Sequence, residues 1–304
     1  MLRVILCFLA VFFSETIFSA PSPIFSSLHE IYTKLPEYDV VTLQNLMVNR
    51  VGSEQGYMKT KGLHCVIQEG QLYQLSPDGL RVYDSAIEGK EIHNLSYSMS
   101  QQEMAENILP NRAILVGDWI EASDENYFES ERASNILGVN GRLCISTEKR
   151  VFHIPIEIAS PEKLSYYGAV AVEMGAIVKF PSEETGYPIW GMNIGPTYSQ
   201  DYIMTDKGGG WYLEWHLDRP HFHMPLSEDA SGVYLLAKKI EAGKYEVTAF
   251  HIPYGIGVFT RRGVIHCDAG LVGENWVVGY STAREFSTVL LRNQQDERIQ
   301  LVFK

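Results

Sequence analysis

A mainly β fold, preceded by a small α+β part, is predicted by three features of this sequence. Short apolar runs separated by glycine-rich turns follow one another from residue 113 to the end. No long helical pattern alternates with them, which argues for a sandwich or barrel rather than a doubly wound sheet. Aromatic residues make up 12% of the chain, a composition that suits strands and pockets.

The elements follow in order. Pro23 to Leu35 has apolar residues near helical spacing and reads as a short helix ended by Pro36. His64 to Asp84 contains short apolar runs broken by Glu69-Gly70 and Ser76-Pro77-Asp78-Gly79, which are hairpin signals. Tyr97 to Leu109 reads as a second helix, stopped by Pro110. Strands are then expected at Ala113–Val116, Arg142–Ser146, Val151–Ile158 and Tyr167–Phe180, the last interrupted by Gly175. Further strands are expected at Val233–Lys238, Tyr245–Ile252, Gly257–Thr260, Trp276–Ser281 and Thr288–Arg292. The change of character near Pro110 divides the chain into an α+β segment, 21–110, and a β region, 111–304.

The first twenty residues are read as a leader. Arg3 precedes the apolar run Val4 to Phe13, and Ser14-Glu15-Thr16 follows it. That is the charge, core and polar order of a secretory signal, and ten apolar residues are too few to cross a bilayer. The mature chain is therefore expected to be secreted or periplasmic, without a membrane anchor. Removing the leader removes Cys7 and leaves Cys65, Cys144 and Cys267, enough for one disulfide at most. Lys plus Arg total 25 against 37 Asp plus Glu, a formal charge of −12. A general nucleic-acid binder needs a basic face, so that class is excluded as an expectation.

The most informative feature is a histidine cluster. Of nine histidines, five fall between residues 216 and 266: His216, His221, His223, His251 and His266. In a strand, residues i and i+2 share a face, so His221 and His223 point one way and Phe222 the other. Two neutral imidazoles converging on one point suit a divalent transition metal. Pro220 and Pro225 bound the strand and suggest a sheet edge or barrel mouth.

Downstream, Gly255, Gly263 and His266 have the spacing of the second cupin motif, with Arg261 at its usual proline and Gly270 at its usual asparagine. His221-x-His223 matches the core of the first motif. The chain thus resembles the cupin superfamily over roughly its last 95 residues, and this resemblance implies a double-stranded β-helix, or jelly roll. Residues 201–304 would form the metal-site barrel. Residues 111–200 would extend it or form a degenerate first barrel, making a bicupin. Ala249 to His266 also resembles a late segment of ureidoglycolate lyases, through Ala249, Phe250, Gly257, Val258, Arg262 and His266.

The ligands implied are His221, His223 and His266, with Glu228 at the spacing of the cupin glutamate as a fourth. Glu214, Asp218 or water are the alternatives to Glu228, and Glu228 or Glu214 is the candidate general base. Arg262 is the candidate grip for a substrate carboxylate, and Arg261 reads as a solvated turn charge. His251 reads as structural, and His216 as a residue that a turn at Asp218-Arg219-Pro220 can fold back towards His221. Gly208-Gly209-Gly210 reads as a close-packed or flexible turn. Cys267 is expected on the face opposite His266. The function expected is a metal-dependent lyase, isomerase or hydrolase acting on a small carboxylate- or hydroxyl-bearing molecule, with one zinc, manganese or iron ion. An iron dioxygenase and a non-catalytic binding protein remain alternatives, and a homodimer is left open.

Overall fold

The computed structural model describes residues 58–121, 141–206, 208–279 and 285–304. The expected leader and the Pro23–Leu35 helix lie outside these. The described chain is mainly β. It opens with β1 (Met58–Val66), β2 (Leu72–Ser76), β3 (Gly79–Val82) and β4 (Ile92–Asn94). A short helix α1 (Gln101–Glu106) precedes β5 (Ala113–Ile120), β6 (Gly141–Ile145), β7 (Val151–Ile154) and β8 (Ile156–Ile158). Helix α2 (Pro161–Tyr167) is followed by β9 (Ala169–Glu173), β10 (Ile177–Lys179) and β11 (Pro188–Ile194). The remainder is β12 (Tyr212–His216), β13 (His221–Pro225), β14 (Ser231–Glu241), β15 (Lys244–His251), β16 (Ile256–Thr260), β17 (Ile265–Gly279), β18 (Phe286–Arg292) and β19 (Gln300–Phe303).

Strand β17 organises the molecule because its two halves serve two sheets. Its first half pairs with β14, from Ala237 opposite Ile265 to Ser231 opposite Val272. That sheet runs β12-β18-β6-β5-β15-β14-β17, and Glu214 opposite His266 joins β12 back to β17, so the pairing closes a ring. The second half of β17 pairs with β13 on one side and β11 on the other, giving a second sheet in the order β1-β11-β17-β13-β16-β9. Gly270 lies where β17 crosses β14, and a Cβ there would meet the Val233 carbonyl oxygen at 2.6 Å. Close backbone approach explains why glycine stands at this position.

Two cores follow from side-chain alternation. The main core includes Tyr234, Leu236, Val258, Val278 and Leu290, all almost fully buried. On the other face of the second sheet, Phe222, Met224, Phe259 and Val277 pack against Tyr73, Leu75, Val178 and Phe180 from β2, β10 and the turn after it. Phe222 thus points away from His221 and His223, as the two-residue period requires. Burying its ring contributes roughly 2 kcal/mol and pins the orientation of both imidazoles.

The strands from both sides of residue 110 share these sheets. β1 pairs with β11, and β5, β6 and β9 pair with β15, β18 and β16. Strands of 111–200 are thereby built into the same sheets as those of 201–304.

Three local expectations are corrected. The helix expected over Tyr97–Leu109 spans only Gln101–Glu106, because Ser100 and Glu103 form a capping box that fixes its start. Met104, Ile108 and Leu109 stay exposed, so no apolar face rewards a longer helix. The expected strand from Tyr167 begins at Ala169, since α2 occupies Pro161–Tyr167, with Ser160 as N-cap, proline in its first turn and Gly168 in the left-handed C-cap. The strand expected over Val151–Ile158 divides at Pro155, with β7 pairing β19 and β8 pairing β15.

Candidate metal centre

Three strands each present two polar side chains at i and i+2. These are Glu214 and His216 on β12, His221 and His223 on β13, and His266 and Asp268 on β17. All six are buried, with exposures from 0 to 5%. The pleat sends both members of each pair into the space between the sheets, while Leu213, Trp215, Phe222 and Cys267 lie on alternate positions. Cys267 is fully buried and is not part of either group of donors described below.

The donors fall into two groups sharing His221. Glu214, His216, His221 and His266 each offer one ligand atom, and these atoms lie within 4.8 Å of one another. His221, His223 and Asp268 form the second group under the same limit. Within the first, Glu214 Oε1 is 3.6 Å from His266 Nε2, and Glu214 Oε2 is 3.8 Å from His216 Nε2. These separations are longer than hydrogen bonds. They match the roughly 3–4 Å between donors that each sit about 2 Å from a shared cation. The ring centroid of His221 is 4.4 Å from that of His266 and 4.7 Å from that of His216.

Hydrogen bonding orients the set. His266 Nδ1 lies 2.9 Å from the Val264 carbonyl oxygen, so Nδ1 carries the proton and Nε2 is left as the donor atom facing Glu214. The Thr288 hydroxyl donates to Glu214 Oε2 at 3.2 Å. Tyr212, two residues before Glu214, donates its hydroxyl to Asp268 Oδ1 at 2.5 Å. Asp268 Oδ2 is 3.7 Å from His223 Nε2. Tyr234 packs its ring 4.7 Å from that of His223, and its hydroxyl meets the Thr260 hydroxyl at 2.9 Å. The amide of Gly263, a glycine at φ 77° in the turn before β17, donates to the His216 carbonyl at 2.5 Å and ties that turn to β12.

A scan against models of known protein families gives no match, and a search of curated proteins returns no relative.

Electrostatics favours a cation. Burial, followed by the neighbouring rings of His266, His216 and His223, holds His221 well below the usual imidazole value. Burial, only partly offset by the Glu214 carboxylate, pushes His266 down to about 4. Both rings are therefore neutral at neutral pH, the form in which an imidazole can bind a metal. Burial opposes ionisation of Glu214, but the facing His216 and His266 outweigh it and hold its carboxyl below the ordinary value. A buried carboxylate beside the neutral rings of His221 and His266 requires a compensating positive charge. No hydrogen bond reaches either ring nitrogen of His216 or Nε2 of His266 among the described residues. Buried groups of this kind call for a partner, and a divalent ion supplies one. These buried His, Glu and Asp groups could hold a metal ion.

The remaining sequence candidates are placed as follows. His221 and His266 join the first group; His223 lies in the second, beside Asp268. Glu228 sits exposed on the turn between β13 and β14, outside both groups, because the strand that would carry it inward begins only at Ser231. Glu214, expected as a base, stands among the potential ligands. Arg262 donates to Glu184 and lies over the Tyr97 ring. Arg261 is not a solvated turn charge: it is 4% exposed and donates to the carbonyls of Ser96 and Gly168 and to Glu103. His251 ends β15, away from both groups. Gly208 is close-packed, since a Cβ there would meet the Ile203 backbone at 2.4 Å. Cys65, Cys144 and Cys267 form no disulfide among the described residues. Asp268 was not anticipated, although its i+2 spacing from His266 is the same signal as His221-x-His223.

Proposed function

We propose that this chain is a cupin-type jelly roll that binds one divalent zinc, manganese or iron ion through Glu214, His216, His221 and His266. It would act as a lyase, isomerase or hydrolase on a small carboxylate- or hydroxyl-bearing molecule. The observation carrying this reading is the convergence of four buried donors from β12, β13 and β17 within 4.8 Å. Support for the fold comes from the closed strand ring facing a second sheet through the shared strand β17, together with the motif spacing of the sequence.

When bound, the ion supplies Lewis-acid polarisation of a substrate oxygen. The protein's own contribution is orientation and charge. Val264 fixes the His266 tautomer, and Thr288 holds one Glu214 oxygen. Glu214 as ligand leaves the role of base to another group, and the His223–Asp268 pair lies beside the donors, with Asp268 held by Tyr212. The apolar cover from Tyr234 and the surrounding strands keeps bulk water from the donors, which strengthens every local electrostatic interaction.

The test is elemental analysis after loading and dialysis. The reading expects about one ion per chain, and a chelator should lower both metal content and turnover of small hydroxy or ureido acids. Failure of Zn, Mn and Fe(II) alike to remain bound overturns it. Bound iron with oxygen consumption would point instead to dioxygenase chemistry, and a tightly held organic molecule without metal to a binding protein.

A further inference from the structure

A pair of hydroxyls shares the interior face with the histidine cluster. Thr260 on β16 stands directly opposite His221 on β13. Partners across an antiparallel pair carry their side chains on one face, about 5 Å apart. The next pair along, Phe222 opposite Phe259, turns both rings into the other core, so Thr260 lies on the side of the imidazoles. Tyr234 approaches from β14 in the other sheet. Its ring centroid is 4.7 Å from that of His223 and 6.0 Å from that of His266, and its hydroxyl meets the Thr260 hydroxyl at 2.9 Å.

Both side chains are buried, Tyr234 at 0% and Thr260 at 1% exposure. A phenol and an alcohol each carry one proton at neutral pH, and the bond between them uses one of the two. The other O–H meets no acceptor among the described residues. A buried donor without an acceptor is costly, whereas phenylalanine and valine in the same two places would carry no such cost. The hydroxyl pair is therefore matched to an acceptor brought by a ligand, and its place beside His221, His223 and His266 says where that acceptor sits.

We infer that Tyr234 and Thr260 form a hydrogen-bond-donor subsite for a negatively charged atom of a small anion held in the histidine cluster. This rests on the metal reading and narrows it: substrates that bring negative charge to that atom, or gain it there during reaction, are favoured over neutral ones. A donor fixed in advance inside a dry site stabilises such charge far more than one exposed to water. Whichever hydroxyl donates to the ligand, the other is its positioning residue, so the two act as one unit.

Azide binding to cobalt(II)-loaded protein, followed by absorption, tests the subsite, with elemental analysis of each preparation alongside. Cobalt(II) suits the same imidazole and carboxylate donors as zinc. Thr260→Val and Tyr234→Phe should each weaken azide about tenfold, the loss expected for a hydrogen bond to a charged partner. The double variant should lose little more than either alone, because the pair is one unit. Metal content should not change in any of them, and Thr260→Ser, which keeps the hydroxyl, should bind azide as wild type does. Wild-type azide affinity in both single variants overturns the subsite. Equal losses in Thr260→Ser and Thr260→Val also overturn it, since they trace the effect to packing. If Thr260→Val does not fold, Tyr234→Phe, which keeps the ring against His223, decides the matter. Loaded wild-type protein that holds cobalt but no azide overturns the subsite and leaves the metal reading standing, whereas protein that holds no metal overturns both.

Discussion

Glu214 and His266 face each other as direct partners across the single β12–β17 pairing, with carboxylate and imidazole 3.6 Å apart. This contact closes the strand ring and places a buried carboxylate beside a neutral imidazole. The expected consequence concerns metal. Glu214→Gln keeps the side-chain size and removes the charge, so metal affinity should fall at least about tenfold, the lower end for disturbing a metal site. Stability of the metal-free protein should change little or rise, because a buried charge is removed. Metal titration and urea unfolding of the same preparation check both; unchanged affinity contradicts the ligand assignment.

The two donor groups share His221, and single substitutions separate them. His216→Ala should abolish stoichiometric binding, whereas His223→Ala should retain an ion with weakened affinity, since His223 belongs with Asp268. Glu228→Ala should leave metal content unchanged and stability within about 0.5 kcal/mol of wild type, as expected for an exposed turn residue. Elemental analysis of the three variants side by side, with urea unfolding of Glu228→Ala, checks these outcomes. Loss of metal in His223→Ala with full retention in His216→Ala would move the site to the second group.

Much of this arrangement was legible in period-two spacing. His221-x-His223 announced a face, and Phe222 took the opposite one. The same reading applied to Glu214-x-His216 and His266-x-Asp268 locates the other two pairs. Those were obscured for physical reasons. β12 is buried on both faces, so Trp211, Tyr212, Leu213 and Trp215 mask the alternation. β17 is long and crosses from one sheet to the other, and Gly270 and Gly273 within it serve close backbone crossings. Glu184 gave no signal at all, because Tyr97, Arg219 and Arg262, distant in sequence, meet around it only in the fold.

Acid should destabilise the metal-free protein before ordinary carboxylates titrate. His266 and His221 have folded values below the unfolded imidazole value near 6.5, so the unfolded chain binds more protons as the pH falls. Their neutral burial costs nothing above about pH 6.5, and stability then declines as the pH drops towards about 4. For His266 alone this amounts to on the order of 3 kcal/mol. Urea midpoints at a series of pH values check it, and a metal-loaded sample should resist the decline until protons displace the ion. A flat metal-free profile between pH 6.5 and 5 would contradict neutral burial of these rings.

Arg261 predicts a purely structural phenotype. Its guanidinium, 4% exposed, joins three separate segments: Ser96 before α1, Glu103 within α1 and Gly168 at the end of α2. Glu103 is also the N3 partner of Ser100 in the capping box of α1. Burial opposes ionisation of Glu103, yet the Ser100 amide and Arg261 hold its carboxyl below the ordinary value. The stabilisation from this pair is therefore present above the unfolded glutamate value and lost as the pH falls through the lower folded one. Arg261→Ala removes all three bonds and should cost about 3 kcal/mol, the range for breaking a buried charged network. Arg261→Met, which restores apolar volume, should recover part of that loss. Urea unfolding measures both, and metal content should be unchanged in each. A wild-type urea midpoint in Arg261→Ala would show that α1 is anchored by other contacts.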